Sequence, residues 1–236
     1  ARGARALLAA ELAGRGGDPT LTVSAIGHAH IDLAWLWPIR ETIRKGARTF
    51  ATALRNMEKY PDYMFGASQP QLYQWIKERH PKLYEQVKQR VKEGRWEVQG
   101  AMWVEPDTNL SGGEALVRQI LYGKRFFKDE FGVDVHVLWL PDAFGYTASL
   151  PQLMKKSGVR YLVTQKLSWN VYNTHPHHSF HWEGLDGSRV LVHLPPEDTY
   201  NSPAAPRSLA KIERNYADKN VSKHALMLFG IGDGGG

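Results

Sequence analysis

The stretch Gly27-His28-Ala29-His30-Ile31-Asp32-Leu33-Ala34-Trp35 decides how this chain is organised. It follows an apolar, β-branched run at residues 21–26, which predicts a strand. Side chains on an extended backbone alternate with period two, so we expect His28, His30 and Asp32 on one face. Two imidazoles and a carboxylate at a strand exit are ligands that a divalent transition metal takes. The alternative is a capped strand end with a buried, hydrogen-bonded histidine; the triplet favours the metal or catalytic site.

The composition excludes several classes of protein and site. The chain has 236 residues, eight Trp, ten Tyr, no Cys and a formal net charge of +6. Without Cys there is no disulfide and no thiolate ligand, so a metal must be held by His and carboxylate. Basic residues alternate with acidic ones, as in Lys77-Glu78-Arg79, which argues against a nucleic-acid partner. No apolar run reaches the length of a membrane span, and the N-terminal residues lack the hydrophobic region of a signal peptide. We therefore expect a cytoplasmic protein.

The order of predicted elements indicates an α/β fold. Strands are predicted at 21–26, 63–67, 96–100, 133–140, 161–164, 179–182, 190–194 and 225–231. Helices are predicted at 39–59, 70–76, 81–94, 111–131, 150–157 and 208–219, the fourth opened by the capping-box spacing Ser111-Gly-Gly-Glu114. Strands that alternate with helices favour parallel pairing with right-handed crossovers. We expect an irregular parallel (β/α) barrel-like domain at 21–236, incomplete at its C-terminus, with residues 1–20 as a linker or the tail of a preceding region.

Unusual polar residues fall at the carboxyl ends of the predicted strands. They are His30 and Asp32, Asp107, Asp142, Gln165 and Lys166, His193, and Asp233. In parallel sheets and barrels the chemistry collects at this edge. A metal beside His30, Asp32 and Asp142 would keep both carboxylates ionised, since a cation favours the charged form. Glycoside hydrolases use a pair of carboxylates in a site lined by aromatic residues. Trp35 and Trp103 are the candidates for stacking on a sugar.

Six separated motifs in this order carry a resemblance to a known family. They are Gly27-His-Ala-His-Ile-Asp-Leu-Ala-Trp35, Trp103-Val-Glu-Pro-Asp-Thr-Asn-Leu110, Trp139-Leu-Pro-Asp-Ala-Phe-Gly-Tyr146, Thr164-Gln-Lys-Leu-Ser-Trp-Asn170, His181-Trp-Glu-Gly-Leu-Asp-Gly-Ser-Arg189 and Phe229-Gly-Ile-Gly-Asp-Gly-Gly-Gly236. From about residue 22 to residue 236 the chain resembles the N-terminal catalytic part of the retaining α-mannosidases of glycoside hydrolase family 38, most closely the cytosolic type. The resemblance implies hydrolysis of terminal α-mannosyl residues, with a mannose-containing oligosaccharide as partner and oligomerisation left open.

The resemblance also implies roles for particular residues. His30, Asp32 and Asp142 would hold one divalent ion, zinc first and cobalt second, with Asp142 also the nucleophile of a covalent mannosyl-enzyme. Spacing alone allows His28 as a ligand, but the family uses the second His of the motif, so His28 is interpreted as a packing or supporting residue. Trp35 matches the sugar-stacking Trp.

Two further carboxylates are weaker matches. Asp233 lies in Gly232-Asp233-Gly234, where relatives have Gly-Asp-Asp, and is a candidate acid/base or sugar contact. Asp107 is a candidate for a substrate contact or for support behind the ligands. The family's fourth metal ligand, a downstream His, is not matched in this sequence, and we expect the 236-residue chain alone to be inactive.

Two other classes of function are compatible with part of the sequence. A metal-dependent amidohydrolase-like barrel also has a His-x-His pair after its first strand, but it needs later histidines, and His193 alone qualifies. A carbohydrate-binding module would use Trp35 and Trp103 to stack on a sugar, but this function does not explain Asp142. The His-rich loop at 175–181 is interpreted as solvated or substrate-adjacent rather than as a metal site.

Overall fold

A computed structural model describes residues 20–236. The expected linker or tail at 1–20 lies almost entirely outside these residues. The strands are β1 Thr22–Ala29, β2 Phe65–Ala67, β3 Trp96–Val98, β4 Val137–Leu140, β5 Tyr161–Thr164, β6 Ser179–Glu183, β7 Arg189–His193 and β8 His224–Ile231. The helices are α1 Ile39–Lys59, α2 Pro70–Arg79, α3 Pro81–Lys92, α4 Gly113–Phe131, α5 Leu150–Lys156 and α6 Pro206–Asn215, with a 3-10 turn at Lys166–Trp169. None of these helices combines the length and the apolar character that crossing a membrane requires.

The strands form two four-stranded sheets. The first has the order β3-β2-β1-β8 and is parallel throughout. The second has the order β4-β5-β7-β6 and is parallel except for the hairpin of β6 and β7. The predicted α/β class with parallel pairing is confirmed. Within residues 20–236 the two sheets do not close into one barrel.

The longest strand pair joins the two ends of the described chain. β8 lies beside β1 along its full length, from Thr22 opposite His224 to Ala29 opposite Ile231. Near the carboxyl end of this pair Gly230 has φ 140°, and a Cβ there would collide with the carbonyl oxygen of His28. Glycine is therefore required where β8 passes closest to β1.

An aromatic core lies between the first sheet and its helices. Phe50 of α1, Tyr73 of α2 and Trp96 of β3 are buried together, with ring centroids 4.9–6.4 Å apart. The Trp96 indole N–H donates to the Tyr73 hydroxyl, which donates to the carbonyl of Ala67, at 2.9 Å each. Since both polar groups are satisfied, this large apolar cluster holds the sheet against α1 and α2 without an unpaired donor.

His193 at the end of β7 links the two sheets. Its Nε2 accepts the backbone N–H of Leu226 in β8 at 3.2 Å, and its Nδ1 lies 2.9 Å from the Ser179 hydroxyl. Nδ1 therefore carries the imidazole proton. Burial, with a smaller contribution from His178, lowers the pKa of His193 to about 4, so the ring is neutral at physiological pH.

Several element boundaries differ from the sequence prediction. The capping box at Ser111–Glu114 is not formed: α4 begins at Gly113 with Gly112 as N-cap and no side-chain cap, and Glu114 pairs with Arg118 at 2.9 Å. β4 begins at Val137 rather than Val133, and the carbonyl of Val135 accepts from Lys124 Nζ at 2.8 Å instead of from a strand. The last helix runs over 206–215 rather than 208–219.

Candidate active site

The segments that follow β1 and β8 bring Asp32 and Asp233 together. After the parallel pair ends, Ile31 forms an antiparallel bridge with Gly234, and the Asp32 N–H donates to the carbonyl of Asp233 at 2.9 Å. Asp233 has φ 62°, a left-handed backbone that Asp tolerates better than most residues. This strained turn directs the Asp233 carboxylate towards the end of β1.

His30 lies at the centre of a group of carboxylates. Its ring is 3% exposed, and Nε2 lies 3.2 Å from Asp32 Oδ1 and 3.4 Å from Asp142 Oδ2. Nδ1 lies 3.0 Å from Glu105 Oε2. Burial opposes charging of the ring, but the charge of Glu105 and the hydrogen bonds to the three carboxylates together raise the pKa of His30 well above its usual value.

Glu105 is itself held in place. The Ser68 hydroxyl donates to Glu105 Oε1 at 2.7 Å, and the Glu105 N–H donates to Gln69 Oε1 at 3.3 Å. Gln69 has φ 64° and also donates to the carbonyl of Ile31 at 2.8 Å. Gln69 therefore connects the Glu105 loop to the end of β1, and Glu105 fixes the Nδ1 side of His30 so that Nε2 faces Asp32 and Asp142.

Asp142 follows β4 and Pro141 and receives three contacts. Lys166 Nζ lies 2.8 Å from Oδ1, while Oδ2 lies 3.2 Å from the Tyr200 hydroxyl and near His30. Partial burial alone would raise the pKa of Asp142, but the hydrogen bonds and positive charges of His30 and Lys166 lower it. Asp142 is therefore an ionised carboxylate in a half-buried position.

Lys166 is held among aromatic rings. Its side chain is 3% exposed, and Nζ lies 3.3 Å from the centroid of Trp169, 4.8 Å from that of Phe144 and 5.2 Å from that of Tyr200. Ring faces attract a cation, so the three rings stabilise the Lys166 side chain in this position. The cage fixes the ammonium on one oxygen of Asp142.

Tyr200 connects Asp142 to Asp233. Its hydroxyl lies 2.7 Å from Asp233 Oδ1 and 3.2 Å from Asp142 Oδ2, so one hydroxyl proton is shared between two carboxylates. Burial, reinforced by both carboxylates, raises the pKa of Tyr200 far above its usual value. The phenol therefore stays protonated, and the pair of carboxylates is bridged by a neutral donor.

The donor set fits one divalent cation. Ligand atoms of His30, Asp32 and Asp233 lie within 4.8 Å of one another, and Asp142 contacts the same nitrogen of His30. An imidazole nitrogen that faces carboxylate oxygens, with a further carboxylate beside its other nitrogen, is typical of a zinc ligand. The structure thus brings together the predicted His30, Asp32 and Asp142 and adds Asp233 to them.

The other predicted residues have surroundings of their own. Trp35 is 59% exposed, edge-on to Trp37. Trp103 packs against Phe126, and its indole N–H donates to Gln71 at 3.1 Å. Asp107 is exposed and accepts two backbone N–H groups of its own turn. His28 is 2% exposed with its ring against Trp139, and burial lowers its pKa to about 3.

Sequence reasoning assigned no role to Glu105, Lys166 or Tyr200. Glu105 and Lys166 stood in quoted motifs, at Trp103-Val-Glu105 and Thr164-Gln-Lys166, and both are charged residues close after strands. That position was a usable signal. Tyr200 lies in a loop far from any motif, and its sequence context gave no indication of the site.

An α/β domain with one imidazole and several carboxylates where strands of both sheets end defines a class of site rather than one protein. The N-terminal domain of glycosyl hydrolases family 38 matches residues 20–236. The chain therefore belongs to glycosyl hydrolase family 38. This membership separates it from the amidohydrolase-like and carbohydrate-binding alternatives.

Curated relatives and solved structures agree with this assignment. The chain is 49% identical to human Alpha-mannosidase 2C1 over 99% of its own length and 22% of the relative's. It is 42% identical to the Saccharomyces cerevisiae Alpha-mannosidase, over 91% of the chain and 20% of that protein. An alpha-mannosidase structure from Enterococcus faecalis V583 superimposes with a TM-score of 0.74 at 22% identity, covering 89% of this chain and 25% of the other, which supports the fold. The chain spans about a fifth of the length of these curated relatives.

Proposed function

We propose that this chain carries the catalytic site of a retaining α-mannosidase that removes terminal α-mannosyl residues from oligosaccharides. Membership of family 38 and similarity to proteins named alpha-mannosidase support the class of reaction. The observation that carries the mechanism is the bridge that Tyr200 makes between Asp142 and Asp233.

The bridge limits the distance between the two carboxylates. Because the Tyr200 hydroxyl is 3.2 Å from one and 2.7 Å from the other, the bridged oxygens lie less than about 6 Å apart. Retaining glycosidases place their carboxyl groups about 5–5.5 Å apart, whereas inverting enzymes leave about 6.5–9.5 Å for a water molecule. The short distance favours retention.

In this mechanism Asp142 is the nucleophile. Its carboxylate attacks the anomeric carbon of the mannosyl unit and forms a glycosyl ester, while the bond to the leaving oxygen breaks. Asp233, in its protonated form, gives its proton to that oxygen. It then takes a proton from the water that cleaves the ester and releases mannose. Tyr200 suits this exchange because its hydroxyl accepts from a protonated Asp233 while it donates to ionised Asp142.

We further propose that His30, Asp32 and Asp142 hold one divalent ion, zinc first and cobalt second, with Asp233 close to the same ligand atoms. When bound, such an ion supplies a Lewis acid beside the sugar hydroxyls. Glu105 orients His30 for it by binding Nδ1.

The remaining assignments belong to the same proposal. Trp35 is accessible and is proposed to stack on the sugar. Trp103 and Asp107 remain candidates for substrate contact, Trp103 from a partly buried position and Asp107 from an exposed turn. A cytoplasmic location is proposed, supported by the resemblance to cytosolic-type members.

The decisive experiment replaces the nucleophile in the full-length enzyme. Asp142→Asn should lower turnover of a nitrophenyl α-mannoside by several orders of magnitude, because an amide forms no glycosyl ester. The matched control is Asp62→Asn, which changes an exposed Asp and should leave turnover intact. Near-normal turnover by folded Asp142→Asn enzyme would refute the assignment.

A further inference from the structure

A basic pocket lies on the second sheet, at the start of β5 and beside the hairpin of β6 and β7. It has a volume of about 380 Å³, and the end of α5 forms one of its walls. Its lining residues are Lys155, Arg160, Tyr161, His181, Arg189 and Leu191. Asp142 and Lys166 instead follow the carboxyl ends of β4 and β5, so the mechanism above makes no use of this pocket.

The floor of the pocket is a sheet face that the described elements leave open. Side chains of β5 and β7 alternate between two faces. On one face Leu162 and Val190 are buried in the core that includes α5. On the other face Val163 packs towards the first sheet, whereas Tyr161 and Leu191, which lie opposite each other, are 42% and 39% exposed. The first sheet therefore covers this face near the carboxyl ends of the strands and leaves an apolar floor near their amino ends.

Three cationic side chains surround this floor, and one of them is paired. Arg189 donates to Glu183 Oε2 at 2.5 Å. Within residues 20–236 neither Lys155 nor Arg160 has a carboxylate partner, and the Arg160 guanidinium lies 5.9 Å from the ring centroid of Tyr161. No Asp or Glu of the described chain lines the pocket. The lining therefore carries an excess of positive charge, and two of its cations are free to pair with a ligand.

Acidic residues of the adjoining segments are engaged elsewhere. Asp134, which precedes β4, pairs with Lys124 at 2.8 Å. Asp186, in the turn between β6 and β7, accepts the N–H and the hydroxyl of Ser188 at 3.0 and 2.9 Å. These carboxylates interrupt the basic surface, which is therefore unsuited to the continuous row of phosphates that a nucleic acid presents.

The combination of cations with an apolar floor selects among anionic ligands. A single phosphate would neutralise Lys155 and Arg160 but would leave the rings and methyl groups of the floor in water. An acidic peptide that also carries an apolar side chain satisfies both parts of the lining, because its carboxylates pair with the cations while the apolar side chain covers the floor.

We propose that this pocket docks an acidic segment of a partner protein, with an apolar side chain over Tyr161 and Leu191 and carboxylates against Lys155 and Arg160. Charge complementarity identifies the occupant, since the lining holds unpaired cations and no carboxylate. The inference is independent of the proposed function, because the pocket contains no residue of the active site.

The test measures binding of a fluorescein-labelled peptide of repeated Glu-Leu-Glu to the full-length enzyme by fluorescence anisotropy. We expect saturable binding that weakens as salt is added. The double variant Lys155→Gln with Arg160→Gln should weaken it about tenfold, as the loss of two exposed ion pairs would. The matched control, Lys82→Gln with Lys156→Gln, removes the same charge from exposed positions outside the lining and should bind the peptide as the wild type does.

Two altered peptides test the two parts of the lining without changing the protein. Replacement of every Leu by Ser should weaken binding, because the floor is then no longer covered by an apolar side chain. Replacement of every Glu by Gln should abolish the salt dependence together with most of the binding.

Turnover of a nitrophenyl α-mannoside by the same samples reports whether the variants are folded, and it should not change in either double variant. Failure of the wild type to bind the Glu-Leu-Glu peptide, or equal weakening in both double variants, would overturn the proposal. Equal binding of the Ser-substituted peptide would indicate a site for bare anions and would overturn it too. Wild-type enzyme that binds the peptide but lacks turnover would count against the proposed function alone.

Discussion

Lys166 Nζ lies 2.8 Å from Asp142 Oδ1, and the rings of Trp169, Phe144 and Tyr200 surround the lysine end of this ion pair. A charged donor in such a place stabilises an ionised carboxylate much more than an exposed pair would. The reactivity of Asp142, which follows β4, therefore depends on Lys166, which follows the next strand, β5.

Removal of this charge should impair catalysis. Lys166→Met keeps the length of the side chain but leaves one oxygen of Asp142 unpaired, and we expect kcat for a nitrophenyl α-mannoside to fall roughly 10²-fold in the full-length enzyme. Lys82→Met, an exposed residue of α3, serves as the control. A wild-type kcat in Lys166→Met would show that the ion pair is merely structural.

Metal content should distinguish the two histidines of the first motif. His30→Ala and Asp32→Ala should each lower bound zinc, since their ligand atoms lie in the carboxylate cluster. His28→Ala should retain it, although loss of a buried ring beside Trp139 should destabilise the protein. Elemental analysis of purified full-length variants provides the measurement. Equal zinc loss from the His28 and His30 variants would contradict the assignment.

Glu105 should matter for metal affinity without touching substrate. Glu105→Gln keeps an oxygen that can accept from Ser68 but removes the charge opposite His30 Nδ1. Partners of this kind are worth about 10–100-fold in metal affinity, and we expect a loss in that range. Chelator competition on the full-length protein measures it, with the exposed Glu114→Gln as control. An affinity within twofold of wild type would exclude this role.

The junction between the sheets should weaken in acid. The pKa of His193 is about 4 in the folded protein against an ordinary 6.5, so the unfolded chain binds the proton at the higher pH. The free energy of unfolding must then fall as pH drops from about 6.5 towards 4 and stay level above that window. Between pH 7.5 and pH 5 the loss should be about 2 kcal/mol.

Amide hydrogen exchange at Leu226, corrected for the intrinsic rate, tests this, because its N–H is bound to His193 Nε2. His193→Gln should remove the share of the pH dependence that His193 contributes, while buried His28, with its pKa lowered to about 3, keeps its own share. Persistence of the full dependence in that variant would place its origin in another group.

The helices, the strands and half of the site residues could be predicted from the sequence, because the patterns that indicate them are local. Proline at the first helical turn and apolar periodicity fixed α1 at Ile39–Lys59, as the structure has it. His30, Asp32 and Asp142 stood out because each follows a strongly apolar run directly. The late start of β4 was not accessible, because it depends on Lys124 of α4 capturing the Val135 carbonyl.

The remaining site residues depend on tertiary placement. Tyr200 reaches the carboxylates from a loop, and nothing in its neighbours along the chain distinguishes it from a core tyrosine. The separation into two sheets depends on which strands pair with each other. The alternation of strands and helices along the sequence does not distinguish one barrel from two sheets. Trp103, a stacking candidate from the sequence, packs against Phe126 and donates to Gln71 from a partly buried position, and these contacts too depend on tertiary placement.

The full-length pairing of β1 with β8 has a consequence for the order of assembly during synthesis. Asp32 leaves the ribosome well before Asp233, with most of the described chain between them, so the loop closed by the Asp32–Asp233 hydrogen bond is among the most non-local contacts in the domain. Until β8 arrives, one edge of β1 is an open template for strand pairing. Until then the nascent domain has both an incomplete site and an unpaired strand edge. Docking of β8 completes the site and covers the edge in one step.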